Sequence, residues 1–145
     1  MNVLLTGPNN SGKSAFIYRM YTGQFYEEKK ESKIHKLSFN TTNGVYKMNV
    51  IDGNIDDLSN IQGIIYMFDS TSENIEGLDE KFKGIPLVVC ANKIDKCRKL
   101  LSNKFINKFP DVDKYEVSSK TNYNYDKPFV SILRQITKID ELKLK

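Results

Sequence analysis

The run Gly7-Pro8-Asn9-Asn10-Ser11-Gly12-Lys13-Ser14 is a complete G-x-x-x-x-G-K-[ST] pattern, and every constrained position in it has a purpose if the ligand is a polyphosphate. Glycines let the backbone turn its N–H groups inward, the amino end of a following helix adds positive potential, and Lys13 brings a point charge to the outer phosphates. The Ser14 hydroxyl is a ligand for Mg²⁺. Phosphate contacts are therefore expected from Asn10, Ser11, Gly12, Lys13, Ser14 and Ala15. A plain glycine-rich turn is the alternative, and composition seldom produces the full run by chance.

Further along, the chain reads Asn92-Lys93-Ile94-Asp95. A carboxylate at Asp95 can accept from both the N1–H and the N2–H₂ of guanine, two adjacent donors that adenine lacks, so this turn selects GTP over ATP. The stem of Lys93 can lie along the base plane, and Asn92 can hold the phosphate loop and the base loop together. Alone, such a tetrapeptide means little; following a phosphate loop and an apolar strand, it means much more. Ser118-Ser119-Lys120 comes after a later short strand, where its backbone N–H groups can meet the guanine oxygen.

These turns need strands to present them. Asn2 to Thr6 reads as a first strand and Lys13 to Thr22 as a helix, with Phe16, Ile17 and Met20 on one face and Gly23 closing it. Ile34 to Thr41 and Val45 to Asp52 alternate apolar and polar residues across Thr42-Asn43-Gly44, which predicts an antiparallel hairpin with one side in water. Ile64 to Asp69 and Ile85 to Ala91 are nearly continuous apolar runs, as central parallel strands require. A short strand at Tyr115 to Val117 and a helix from Lys127 to Ile139, with Phe129, Ile132, Leu133 and Ile136 along one face, complete an α/β fold. Its expected form is a six-stranded, mostly parallel sheet with helices on both faces, and ligands then sit at the carboxyl ends of the strands.

With 145 residues the chain has the size of one domain, expected to span 1–145. Eight Phe, eight Tyr and fourteen Ile exclude disorder throughout. The net charge of +4 is spread over scattered lysines without a block of like charge, so no nucleic-acid partner is expected. No window is apolar over the length of a bilayer, and no export signal or lipidation pattern is visible, so no membrane partner is expected either. Cys90 and Cys97 have neither zinc nor disulfide spacing and read as reduced, structural thiols in a cytoplasmic or nuclear setting.

The phosphate loop, the Asn92-Lys93-Ile94-Asp95 turn and the stretch from Tyr115-Glu116-Val117-Ser118-Ser119-Lys120 through Thr121-Asn122-Tyr123-Asn124-Tyr125-Asp126-Lys127-Pro128-Phe129 together resemble the Ras-like small GTPases, specifically the Ran type. Thr22-Gly23-Gln24-Phe25 and Ile61-Gln62-Gly63 through Phe68-Asp69 are similar as well, so the resemblance spans nearly the whole chain. It implies a phosphate-loop NTPase fold, GTP or GDP with Mg²⁺ as ligand, Phe25 edge-on against guanine, and Asp52 near Mg²⁺ through water. A monomer is expected, with nuclear-transport receptors or exchange factors as the partners the resemblance implies.

The departures from the family pattern gather where the γ-phosphate is sensed. The family has Asp-x-x-Gly-Gln after its third strand, the Gly N–H meeting the γ-phosphate and the Gln orienting the attacking water. Here the run is Asp52-Gly53-Asn54-Ile55-Asp56, and the stretch down to Ile61 is short for a second switch. Asp56 would bring negative charge toward a polyphosphate. Tyr26-Glu27-Glu28-Lys29-Lys30-Glu31-Ser32-Lys33 contains no Thr to complete Mg²⁺ coordination, leaving Ser32 as its sole hydroxyl apart from the Tyr26 phenol, and Asn9 crowds the space of a water-positioning Gln or an arginine finger. Two functions fit this pattern: a GTP hydrolase with slow or impaired turnover, or a non-hydrolysing interaction protein that imitates Ran or occupies its partners. No catalytic residue can be named on this basis.

Overall fold

The computed structural model describes residues 1–8, 11–22, 34–53, 55–70, 82–93, 111–118, 120–121 and 123–145. Its elements are β1 (Asn2–Thr6), α1 (Lys13–Thr22), β2 (Ile34–Thr41), β3 (Gly44–Asp52), β4 (Gly63–Asp69), β5 (Leu87–Asn92), β6 (Asp113–Glu116) and α2 (Lys127–Thr137). They form a six-stranded mixed sheet in the order β2-β3-β1-β4-β5-β6. β2 and β3 are antiparallel, and the neighbouring pairs from β3 to β6 are parallel.

Most element limits follow expectation, and the differences have local causes. Pro86 has no N–H to give the ladder, although its carbonyl accepts from Ile64 N at 2.8 Å, so β5 begins at Leu87 rather than Ile85. β6 lies earlier than expected, over Asp113–Glu116, and Val117 N extends its pairing by donating to Ala91 O at 2.8 Å. α2 stops at Thr137 because Lys138 turns left-handed, at φ 60°.

Alternation along each strand sends successive side chains to opposite faces. One face carries Val3, Leu5, Ile65, Met67, Val88 and Cys90 and is covered by Phe16 and Ile17 of α1 and by Phe129, Ile132 and Leu133 of α2. Phe129 stacks on Phe16 at 5.6 Å between centroids and tilts against Phe39 of β2 at 5.4 Å, fastening both helices to the hairpin. Burial pushes the Cys90 thiol far above its usual range, keeping it protonated and inert, as a structural cysteine should be. Cys97, Gly23 and the side chain of Met20 lie outside the described part.

The opposite face carries Leu4, Ile64, Tyr66, Phe68, Val89 and Ala91, closed by Ile61 and Phe82 with Ile55, Leu58 and Ile85 at the margin. Both helices among the described residues lie on the first face; residues 71–81, between β4 and β5, and 94–110, between β5 and β6, lie outside the described residues, and with them the expectation of helices on the second face. Among the described residues no helix is long and apolar enough to cross a membrane.

The last residues form a strap that sequence patterning does not reveal. Leu142 is fully buried in the helix-covered face, and Arg134 Nε donates to its carbonyl at 2.8 Å. Thr42 N donates to Lys143 O and Lys145 N to Asn40 O, both at 2.9 Å, so the terminus pairs with the far end of β2. Leu142→Ala should lower the unfolding free energy by roughly 2–4 kcal/mol, from lost burial and the cavity left behind. Urea denaturation checks this; a change under about 0.5 kcal/mol would mean that the strap does not hold the fold.

Candidate phosphate and base site

β1 runs straight into the candidate phosphate loop at Gly7, and close packing fixes where that loop starts. A Cβ on Gly7 would overlap the carbonyl oxygen of Met67 in the neighbouring β4, so only glycine allows this approach. The chain then turns, with Ser11 N donating to Pro8 O at 3.3 Å, and Phe16 N to Gly12 O at 2.9 Å begins the helical ladder of α1. Lys13 folds its ammonium back over the loop, donating to Gly7 O and Pro8 O at 2.9 Å each and to Ser11 Oγ at 3.4 Å. Ser14 and Ala15 occupy the first turn of α1, half-buried at the carboxyl edge of the sheet.

Asn92, at the end of β5, joins this loop to the second motif. Its Nδ2 donates to Ser11 O at 3.0 Å, while its Oδ1 is buried without a partner among the described residues. Gly12 makes the contact possible: at φ +90°, any Cβ there would collide with Asn92 Nδ2. Lys93 follows in a left-handed conformation, at φ 63°, and its ammonium pairs with Asp69 Oδ2 at 3.1 Å. Ser70 N donates to Asn92 O at 2.9 Å, which knits the ends of β4 and β5 together.

From the other side of β1 comes Asp52, the last residue of β3, whose Oδ2 accepts from Ser14 Oγ at 2.8 Å. A hydroxyl and a carboxylate converging beside a phosphate loop are the hard oxygen donors that Mg²⁺ prefers. Ser118 is fully buried, but its N–H donates to Tyr123 O at 3.0 Å and its Oγ accepts from Thr121 N at 3.2 Å. The Ser118 amide is thus engaged within its own loop. Lys120 is exposed. Asn9, Asn10, Phe25, Ser32, Asn54, Asp95 and Ser119 lie outside the described residues.

The segment after β3 is tied down. Ile55 and Leu58 pack on the second sheet face, Ile61 is buried, and Asp57 Oδ1 accepts from Ser59 N at 3.0 Å. Hydrogen bonds from the Ser59 backbone and side chain hold the Asp57 carboxyl below its usual range. Asp56 is exposed. Gln62 is the glutamine nearest the second-switch position, yet its Oε1 accepts from Asn2 N at 2.5 Å and its own N donates to Asn2 O at 2.9 Å. That places it beside the start of β1, about 13 Å of strand from the end that bears the phosphate loop.

No family model matches the chain. The sequence patterns identified the loop, Asn92 and Lys93, but overlooked Asp69 and the position of Gln62. Asp69 had a readable signal, since it closes an apolar strand at the same sheet edge and pairs in register with Asn92.

Gly12→Ala and Gly84→Ala separate a collision from backbone strain, because Gly84 has nearly the same φ, +86°, with nothing within 4 Å of a Cβ. Gly84→Ala should cost about 1–2 kcal/mol. Gly12→Ala should cost about 1–3 kcal/mol more, through loss of the buried Asn92–Ser11 bond. Equal losses in urea denaturation would mean that this bond does not form.

Proposed function

We propose that this chain binds GTP and GDP with Mg²⁺ as a Ras-like GTPase domain of the Ran type, with slow or impaired hydrolysis. The observation that supports the reading best is the bond from Asn92 to Ser11, which ties the end of β5, where the Asn92-Lys93-Ile94-Asp95 run begins, to the Gly7–Ser14 run. The residues fit such a ligand: Gly12 leaves room for the Asn92 amide beside the loop, Asn92 offers a buried acceptor, and Ser14 and Asp52 present two oxygens together.

In this reading Lys13 and the amino end of α1 hold the phosphates, Ser14 ligates Mg²⁺ with Asp52 behind it, and Asp95 reads the base. When bound, Mg²⁺ offsets charge on the outer phosphates. Among the described residues no group stands ready to orient water. Gln62 is held at the opposite end of β1, Asp56 carries the wrong charge, and packing of Ile55, Leu58 and Ile61 restrains the segment that would have to move. The same restraint favours the second reading, a nucleotide-binding interaction protein that meets Ran's partners, nuclear-transport receptors or exchange factors, in the cytoplasm or nucleus.

Single-turnover hydrolysis of loaded GTP, with and without an activating protein for Ran-type GTPases, tests the proposal. The intrinsic rate should be at or below about 10⁻⁴ s⁻¹, and the activator should raise it less than about tenfold, against about 10⁵-fold in a complete Ras-type site. Acceleration by several orders of magnitude would overturn the claim of impaired hydrolysis.

A further inference from the structure

We infer that Asp69 is a positioning residue for the base: its carboxylate draws the Lys93 ammonium sideways, so that the lysine presents its apolar stem, and not its charge, to the ligand. This rests on the nucleotide-binding reading above and names a residue that neither motif contains.

Three observations converge on it. First, Lys93 has φ 63°, an uncommon conformation for a residue with a Cβ, which sets the direction in which its side chain leaves the turn. Second, its Cε lies 3.6 Å from where a Cβ on Gly12 would stand, so the stem runs beside Gly12, on the side that glycine leaves open. Third, its Nζ ends 3.1 Å from Asp69 Oδ2, with the two side chains only 29% and 19% exposed. Asp69 and Asn92 are register partners on β4 and β5, so the strand pairing itself sets the carboxylate beside the turn.

The alternative roles for this pair make different demands. A lysine meant to bind phosphate would be better left without a carboxylate, since Asp69 cancels its charge. A carboxylate meant for Mg²⁺ would not be matched with an ammonium. A stem held flat by its charged end, by contrast, is a rigid apolar wall, and an aromatic base loses little by resting against it.

The two views of Asp69 predict opposite signs for Asp69→Asn. Removing a negative charge near the phosphate loop should, on electrostatics alone, tighten nucleotide binding. Loss of positioning should instead speed the release of guanine nucleotide and leave phosphate binding intact. The experiment measures release of fluorescently labelled GDP from full-length protein, alongside competition by inorganic tripolyphosphate. Asp69→Asn should release GDP about three- to tenfold faster, the range of a partly screened ion pair, with tripolyphosphate affinity unchanged or higher. Asp69→Glu, which keeps the carboxylate, should stay within about twofold of wild type on the same scale. Release from Asp69→Asn at or below the wild-type rate would overturn the inference, as would release from Asp69→Glu as fast as from Asp69→Asn. Parallel loss of GDP and tripolyphosphate would assign Asp69 a merely structural role and overturn it too. A wild-type protein that holds tripolyphosphate but no guanine nucleotide would defeat the underlying reading itself.

Discussion

The hydrogen bond from Asn92 Nδ2 to Ser11 O joins the ends of two strands that are not neighbours in the sheet, β1 and β5, across the end of β4. It exists because glycine at position 12 leaves the amide room, and because parallel pairing from β1 through β4 to β5 sets the three strand ends along one edge. The bond is buried, so losing one partner leaves the other without compensation and costs more than forming the bond contributes. The loop, the base turn and the start of α1 consequently behave as one unit. Each element placed at that edge gains its chemical meaning from this link.

Charge is arranged around the link in pairs. Lys93 faces Asp69, Ser14 faces Asp52, and Lys13 is wrapped by the carbonyls of its own loop. An anionic ligand would take over the Lys13 donors, while a divalent cation would replace the proton that Ser14 shares with Asp52. In the proposed reading, stability and binding would therefore draw on the same groups, which are already held in place by these contacts. In the segment after β3, the apolar residues serve the second sheet face and the glutamine serves the amino end of β1.

Much of this architecture was readable from residues alone, for identifiable reasons. Asn2–Thr6, Lys13–Thr22 and Ile34–Thr41 occur where periodicity and turn residues put them, because local pattern and tertiary burial agree there. The buried runs of β4 and β5 were recognisable as central strands by their continuous apolar character. What sequence could not supply was side-chain destination. Nothing in the string says that Gln62 bonds to Asn2, that the Ser118 amide turns to Tyr123, or that Leu142 returns to the core beside α2, since each depends on contacts between distant segments. The part that Ile55, Leu58, Ile61 and Phe82 play on the second face was hidden for a related reason: they stand in short segments that have no periodicity to detect.

Selective recognition of guanine at a phosphate loop is the claim on which the rest of the functional account depends. Calorimetric titration of nucleotide-stripped protein with GDP and with ADP, in Mg²⁺ and again after chelation, tests it most directly. The account predicts that GDP binds more than about 10³-fold tighter than ADP, because a site built for two adjacent donors is left with unpaired polar groups by any other base. It also predicts that chelation weakens GDP, through loss of the cation held at Ser14 and Asp52. Equal affinity for GDP and ADP, or no binding of either, would contradict it.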